Sequence, residues 1–135
     1  MAGYSGTPLA TKLGIKPGIS LLPIDAPKEY HAWLGSLPEG VSFLANPTKA
    51  GCDLVHLFVQ SLAHLSRNLP RARSAIVPDG MIWVSWYKKS AKIPTDVTEG
   101  VIRAMALETD LVDVKVCAVS DVWSGLKLVV RKQLR

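Results

Sequence analysis

Lys88 and Lys89 stand side by side, followed by Ser90 and, a few residues on, by Thr95 and Asp96 at the start of a helical pattern. Two ammonium groups near hydroxyls and free backbone amides are the chemistry that holds a phosphate or a carboxylate. Asp25 closes one apolar run, and Gln60 and Ser61 close another, so all three are candidates to face the same ligand. Trp86, just ahead of the lysines, is delivered to the same strand end. The plainer reading is a solvated loop in which Asp96 only caps its helix. Trp123 stands between Asp121 and Ser124 in what reads as a terminal loop, either as a packed hairpin cap or as a contact for a ligand or partner.

The other reactive side chains read more simply. His56 lies in a run that is otherwise apolar on both pleat faces, so a hydrogen-bonded core histidine is expected rather than a base. His31 and His64 share no metal-ligand spacing and read as solvated helix positions. Cys52 and Cys117 have the spacing of neither a redox pair nor a zinc knuckle and read as small core hydrophobes. Trp33 and Trp83 fit core packing, and Trp83 and Trp86, three apart in a strand, should point to opposite faces. The sequence has no nucleophile elbow, P-loop or HExxH helix, and no metal set.

For the candidate groups to meet, a scaffold must carry them to one edge. Pro8 and Gly14 punctuate a short first helix capped by Thr7. Ile19–Ile24 reads as a strand, Lys28–Leu37 as a helix, Val41–Ala45 as a brief strand, and Asp53–Val59 as a strand buried on both faces. A helix follows from Gln60 with Leu62, Leu65 and Leu69 inward and Arg67 and Arg71 outward. Pro78-Asp79-Gly80 reads as a turn into the strand Met81–Tyr87. Asp96 and Glu99 read as a capping box for a helix with Val97, Val101, Ile102 and Met105 inward. Strands at Val112–Val119 and Leu126–Arg131 close the chain. Alternating strands and helices predict an α/β fold, a mainly parallel sheet with helices on both faces. Six residues between the last two strands are too few for a parallel crossover, so the C-terminal strand must be antiparallel. In such a sheet, ligands bind beyond the carboxyl ends of the strands.

At 135 residues, 48% hydrophobic and 20% charged, the chain excludes a disordered polymer. No apolar run reaches the roughly 18 residues that span a bilayer, so no membrane contact is expected. The opening MAGYSGTPLATK has no apolar signal region, which points to the cytoplasm. The net charge of +5 falls wholly after residue 66, in the clusters Arg67/Arg71/Arg73, Lys88/Lys89/Lys92 and Arg131/Lys132/Arg135. Nucleic-acid binding would need those clusters on one face.

Thr7-Pro8-Leu9-Ala10 through Pro17-Gly18 resembles the segment before the first strand of class I methyltransferases that use S-adenosylmethionine. Cys52-Asp53-Leu54-Val55 resembles their fourth strand, and Val77 to Val84 resembles the proline-glycine turn into their fifth. The antiparallel final hairpin completes the likeness. Asp53–Val59, Pro78–Ser90 and Val112–Arg131, with its Trp123-Ser124-Gly125-Leu126-Lys127 run, also resemble a family of small bacterial proteins of unknown function. That second likeness covers nearly the whole chain and supplies no activity. The resemblance implies a single Rossmann-like, methyltransferase-like domain over residues 1–135.

The sequence departs from this pattern where those enzymes hold their cofactor. They end the first strand in an acid followed by a glycine-rich turn, because glycine lets the backbone approach the cofactor closely. Here Pro23 stands near the acid, and Asp25, Ala26 and Pro27 stand where the glycines would be. Asn46 replaces the carboxylate that holds the ribose, without its charge-assisted strength. One βα unit is missing between the first strand and Asp53. These departures predict no S-adenosylmethionine bound in the usual mode, and no other cofactor. The resulting expectation is a non-catalytic binding or regulatory protein. Its alternatives are an enzyme or binder acting on a small anionic ligand at the strand ends, and a nucleic-acid binder. The ligand or protein partner is unnamed by the sequence, and the high apolar content fits either a homodimer or an ordinary core.

Overall fold

Leucines, valines and tryptophans alternate so regularly along the central strand segments that these strands feed two apolar layers. The structure, a computed structural model, describes residues 7–135. Its elements run α1 (Leu9–Leu13), β1 (Ser20–Ile24), α2 (Tyr30–Leu34), β2 (Ser42–Phe43), β3 (Cys52–Phe58), α3 (Leu62–Ala75), β4 (Ile76–Tyr87), α4 (Glu99–Leu107), β5 (Leu111–Ala118) and β6 (Trp123–Val130), with short 3-10 turns at Lys89–Ala91 and Lys132–Leu134. The strands form one six-stranded sheet in the order β2-β1-β3-β4-β6-β5. β2, β1, β3 and β4 are mutually parallel, and β6 runs antiparallel between β4 and β5. Among the described residues, no helix is long and apolar enough to cross a membrane.

Leu22, Val55, Leu57, Ile82 and Val84 point to one face and bury Leu65 and Leu69 of α3 and Ile102 of α4. Leu21, Leu54, Phe58 and Trp83 point to the other, against Leu9 and Leu13 of α1 and Tyr30 and Leu34 of α2. Helices on both faces and the antiparallel C-terminal strand match the expectation, and Trp83 and Trp86 do lie on opposite faces. The Trp83 indole N–H donates to the Leu13 carbonyl at 2.9 Å, which fastens α1 to the sheet.

Several elements differ from the sequence reading, each for a local reason. α2 is shorter than Lys28–Leu37 because Gly35, at φ 67°, ends it. β2 stops at Phe43 rather than Ala45. Its last rung is the Leu44 N–H to the Leu21 carbonyl, and the next would need an N–H at position 23, where proline has none. Pro23 is tolerated in an inner strand because it faces the edge that β2 has already left. Pro78-Asp79-Gly80 is a bulge within β4 and not a turn ahead of it: Cys52 pairs with Ile76 and Leu54 with Met81. A side chain at Gly80 would lie 3.0 Å from the Asp53 carbonyl and 3.2 Å from that of Cys52, so only glycine fits the bulge without a shift.

The first-helix cap falls at Pro8, without a side-chain bond, rather than at Thr7. Leu62 is exposed and not inward, because α3 begins there and its first turn lies beyond the sheet edge. The expected capping box at Asp96 and Glu99 is displaced: Thr98 is the N-cap of α4 and accepts the Val101 N–H. Trp123 lies in no loop. It opens β6 opposite Tyr87, buried because its ring packs on Phe58 and Tyr87.

Candidate functional site

β1 sends the chain one way along the sheet to β2, and the return crossover delivers β3 on its other side. The crevice between the carboxyl ends of β1 and β3 is therefore the topological switch point, where open α/β sheets bind ligands. Asp25 follows β1 directly and adopts a left-handed conformation, φ 56°. Aspartate visits that region more readily than most residues. Its Oδ2 lies 2.7 Å from His64 Nε2. The Gln60 N–H donates to His64 Nδ1 at 3.3 Å, so Nε2 carries the ring proton and donates to Asp25. The pair spans the crevice from the end of β1 to the first turn of α3, with His64 mostly covered and Asp25 57% exposed.

The start of α3 is also laced to the loop after β4. Ser61 Oγ accepts the His64 N–H at 3.1 Å, and Asp96 Oδ1 accepts the Leu62 N–H at 2.7 Å. Asp96 thus caps α3 and not its own neighbour α4. The Thr95 hydroxyl donates to the Gln60 carbonyl at 2.9 Å. These bonds hold the loop of residues 88–98 as an arch beyond the carboxyl end of β4.

Under that arch lies a concavity of about 870 Å³. Lys88, Lys89 and Lys92 supply its positive charge, and Trp86, Tyr87, Ile93 and Pro94 supply apolar surface. Ser90 and Thr95 add hydroxyls. Glu99 is the single carboxylate on the lining, and Arg103 draws it away by an ion pair, holding Asp113 as well at 2.8 Å. That network holds the Asp113 carboxyl below the usual carboxylate range, chiefly through the Arg103 hydrogen bond. Lys92 has φ 57°, a conformation that a lysine adopts at a cost of about 1–2 kcal/mol.

Behind the sheet surface, His56 is fully buried. Its Nδ1 lies 2.8 Å from the Tyr30 hydroxyl and its Nε2 2.7 Å from Ser85 Oγ. Burial pushes the imidazole pKa down to about 3 and raises that of the Tyr30 hydroxyl above its ordinary range. This is the hydrogen-bonded core histidine expected from the sequence. Cys52 is buried and Cys117 half-buried, both free thiols whose pKa values burial raises. Among the described residues, no group of three or more His, Cys, Asp or Glu is placed to hold a metal ion.

Of the residues singled out in the sequence, Trp86, Lys88, Lys89 and Ser90 come together on the concavity. Asp25 and Gln60 meet next to it through His64, with Gln60 acting through its backbone. Asn46 lies apart, exposed beyond β2 at the far edge of the sheet. Trp123 belongs to the core on the other face, though its neighbour Ser124 reaches the concavity. His64, Lys92 and Thr95 complete the region. The only trace of His64 in the sequence is its place three residues after a serine that could cap a helix. Of the other basic clusters, Arg73 and Arg131 lie at the opposite end of the sheet: Arg73 makes a bidentate pair with Asp110, and Arg131 donates to the Leu107 and Thr109 carbonyls.

No protein-family profile matches this sequence, and no curated protein matches it. Solved structures do match its fold. A putative type 11 methyltransferase from Sulfolobus solfataricus is 12% identical with TM-score 0.62, covering 98% of this chain and 95% of that one. An S-adenosylmethionine-dependent O-methyltransferase from Thermotoga maritima is 11% identical with TM-score 0.56, covering 92% and 64%. TrmN from Thermus thermophilus is 12% identical with TM-score 0.54 over 90% of this chain, which spans about half of that protein, 47%. The fold is therefore Rossmann-like and methyltransferase-like, as the sequence resemblance implied. At these identities the likeness is one of fold alone.

Proposed function

We propose that this chain is a non-catalytic binding protein on a methyltransferase-like frame, one that does not take S-adenosylmethionine in the usual mode. The observation that carries this reading is the Asp25–His64 pair across the switch-point crevice. A dinucleotide or nucleoside cofactor lies at such a crevice only where small residues let the backbone come close. Here the turn keeps a glycine-like φ, but it carries Asp25, Ala26 and Pro27, and its carboxylate is tied to the helix across the gap. The cofactor's methionine carboxylate would meet that second carboxylate, and like charges at close range repel. Asn46, in turn, offers no charge for the ribose.

The separation of the basic clusters to opposite ends of the sheet supports a small ligand over nucleic acid, because a phosphate backbone needs one continuous positive face. Isothermal titration with S-adenosylmethionine and S-adenosylhomocysteine is expected to give no heat of binding. Micromolar affinity that disappears on Asp25→Arg would overturn the proposal.

A further inference from the structure

We infer that the concavity under the 88–98 arch is a binding site for a phosphate monoester of a flat ring, a ligand of mononucleotide size. The inference extends the binding role proposed above and names the ligand class. About 870 Å³ falls within the roughly 300–1,000 Å³ typical of small-molecule sites. The electrostatics select the ligand's head. Lys88, Lys89 and Lys92 contribute three ammonium groups, while the single lining carboxylate, Glu99, is already paired with Arg103. That leaves an uncompensated positive field suited to a dianion.

The walls select the ligand's body. An inorganic anion would leave the apolar part of the lining, Pro94 and the edge of Trp86, uncovered, and Ile93 stands at the mouth 38% exposed. Trp86, on the face of β4 that carries α3 and α4, is the aromatic ring on that side of the lining, and its core neighbours hold it in place as a preformed edge for a planar group. The arch is itself pinned by Thr95 and Asp96, which bond to Gln60 and Leu62. Finally, Lys92 occupies a left-handed conformation that glycine would hold at lower cost, and strain of this kind persists where a side chain is needed in place.

The test is isothermal titration of the full chain at low ionic strength with three probes: adenosine 5′-monophosphate, adenosine and inorganic phosphate. The monophosphate is expected to bind, and each half alone to bind at least about tenfold more weakly, the factor that corresponds to about 1.4 kcal/mol. Lys88→Ala/Lys89→Ala should weaken the monophosphate by about tenfold or more. Lys92→Gly should weaken it while raising the melting temperature, an outcome that unfolding cannot imitate. No heat from the monophosphate, equal affinity for inorganic phosphate alone, or affinity unchanged in both lysine variants would each overturn the inference. Binding of S-adenosylmethionine that depends on Asp25 and ignores the lysines would instead overturn the non-catalytic reading, so the two failures are distinguishable.

Discussion

Acid should unfold this protein earlier than its carboxylates alone would dictate, because of one imidazole. His56 is fully buried between the Tyr30 and Ser85 hydroxyls, and its pKa stands at about 3 in the fold. In the unfolded chain it titrates near 6.5. The folded state therefore binds fewer protons than the unfolded one between these values. Stability is fully present above about pH 6.5 and is lost as the pH falls towards 3. At pH 5 the loss is about 2 kcal/mol, a large share of the roughly 5–15 kcal/mol that holds a typical domain together. Urea denaturation followed at pH 7, 6 and 5 measures it directly. The lowered carboxyls of Asp110 and Asp113, each held chiefly by an arginine hydrogen bond, keep their contribution above the ordinary carboxylate range and lose it as the pH falls through that range and below. The control is His56→Leu combined with Tyr30→Phe and Ser85→Ala. This replaces the whole network with apolar groups rather than orphaning two hydroxyls, which would cost about 1–3 kcal/mol each. Every other group that titrates between pH 5 and 7 is common to both proteins. If the wild type loses no more stability than the triple variant between pH 7 and 5, the reasoning is refuted.

Two further variants probe how the frame is held. Gly80→Ala should destabilise by about 1–3 kcal/mol, since the new methyl meets backbone carbonyls that cannot move aside, and a lower urea midpoint at unchanged slope would register it. Trp83→Phe should leave the Leu13 carbonyl without its donor, costing about 1–3 kcal/mol, and hydrogen exchange should quicken in α1 before the rest of the chain.

The legible part of the fold is the part written in local periodicity. Leu54, Val55, Leu57 and Phe58 alternate between two apolar layers, and that alone implies helices on both faces. The short connection before β6, six residues in the sequence reading and four (119–122) in the fold, likewise dictates its direction, though not that it would insert between β4 and β5. The cluster Trp86, Lys88, Lys89 and Ser90 is readable because one short stretch, the end of β4 and the loop after it, carries it. The Asp25–His64 bond is not, since its partners are 39 residues apart and belong to different elements. The same holds for Asp96, whose spacing from Glu99 imitates a local cap while its carboxylate serves Leu62 on another helix. Lys92 gives no warning of its conformation, because only the closure of the arch demands a positive φ there. Trp123 reads as a loop residue because its flanking Asp121 and Ser124 are turn-forming residues, whereas the ring itself is drawn in by Phe58 and Tyr87.

The insertion of β6 between β4 and β5 also constrains the order in which the chain can fold. β4 is complete at Tyr87, yet the strand that covers its open edge arrives only with Trp123–Val130. Until then Ile82, Trp83 and Val84 border an unpaired row of amides and carbonyls, the arrangement that recruits foreign strands. β5 and β6 are joined by a short connection and can pair with each other first, then dock on β4 as a hairpin. The nascent or refolding chain is thus most prone to aggregate in the interval between those two events, and a chaperone or a low protein concentration would matter most there.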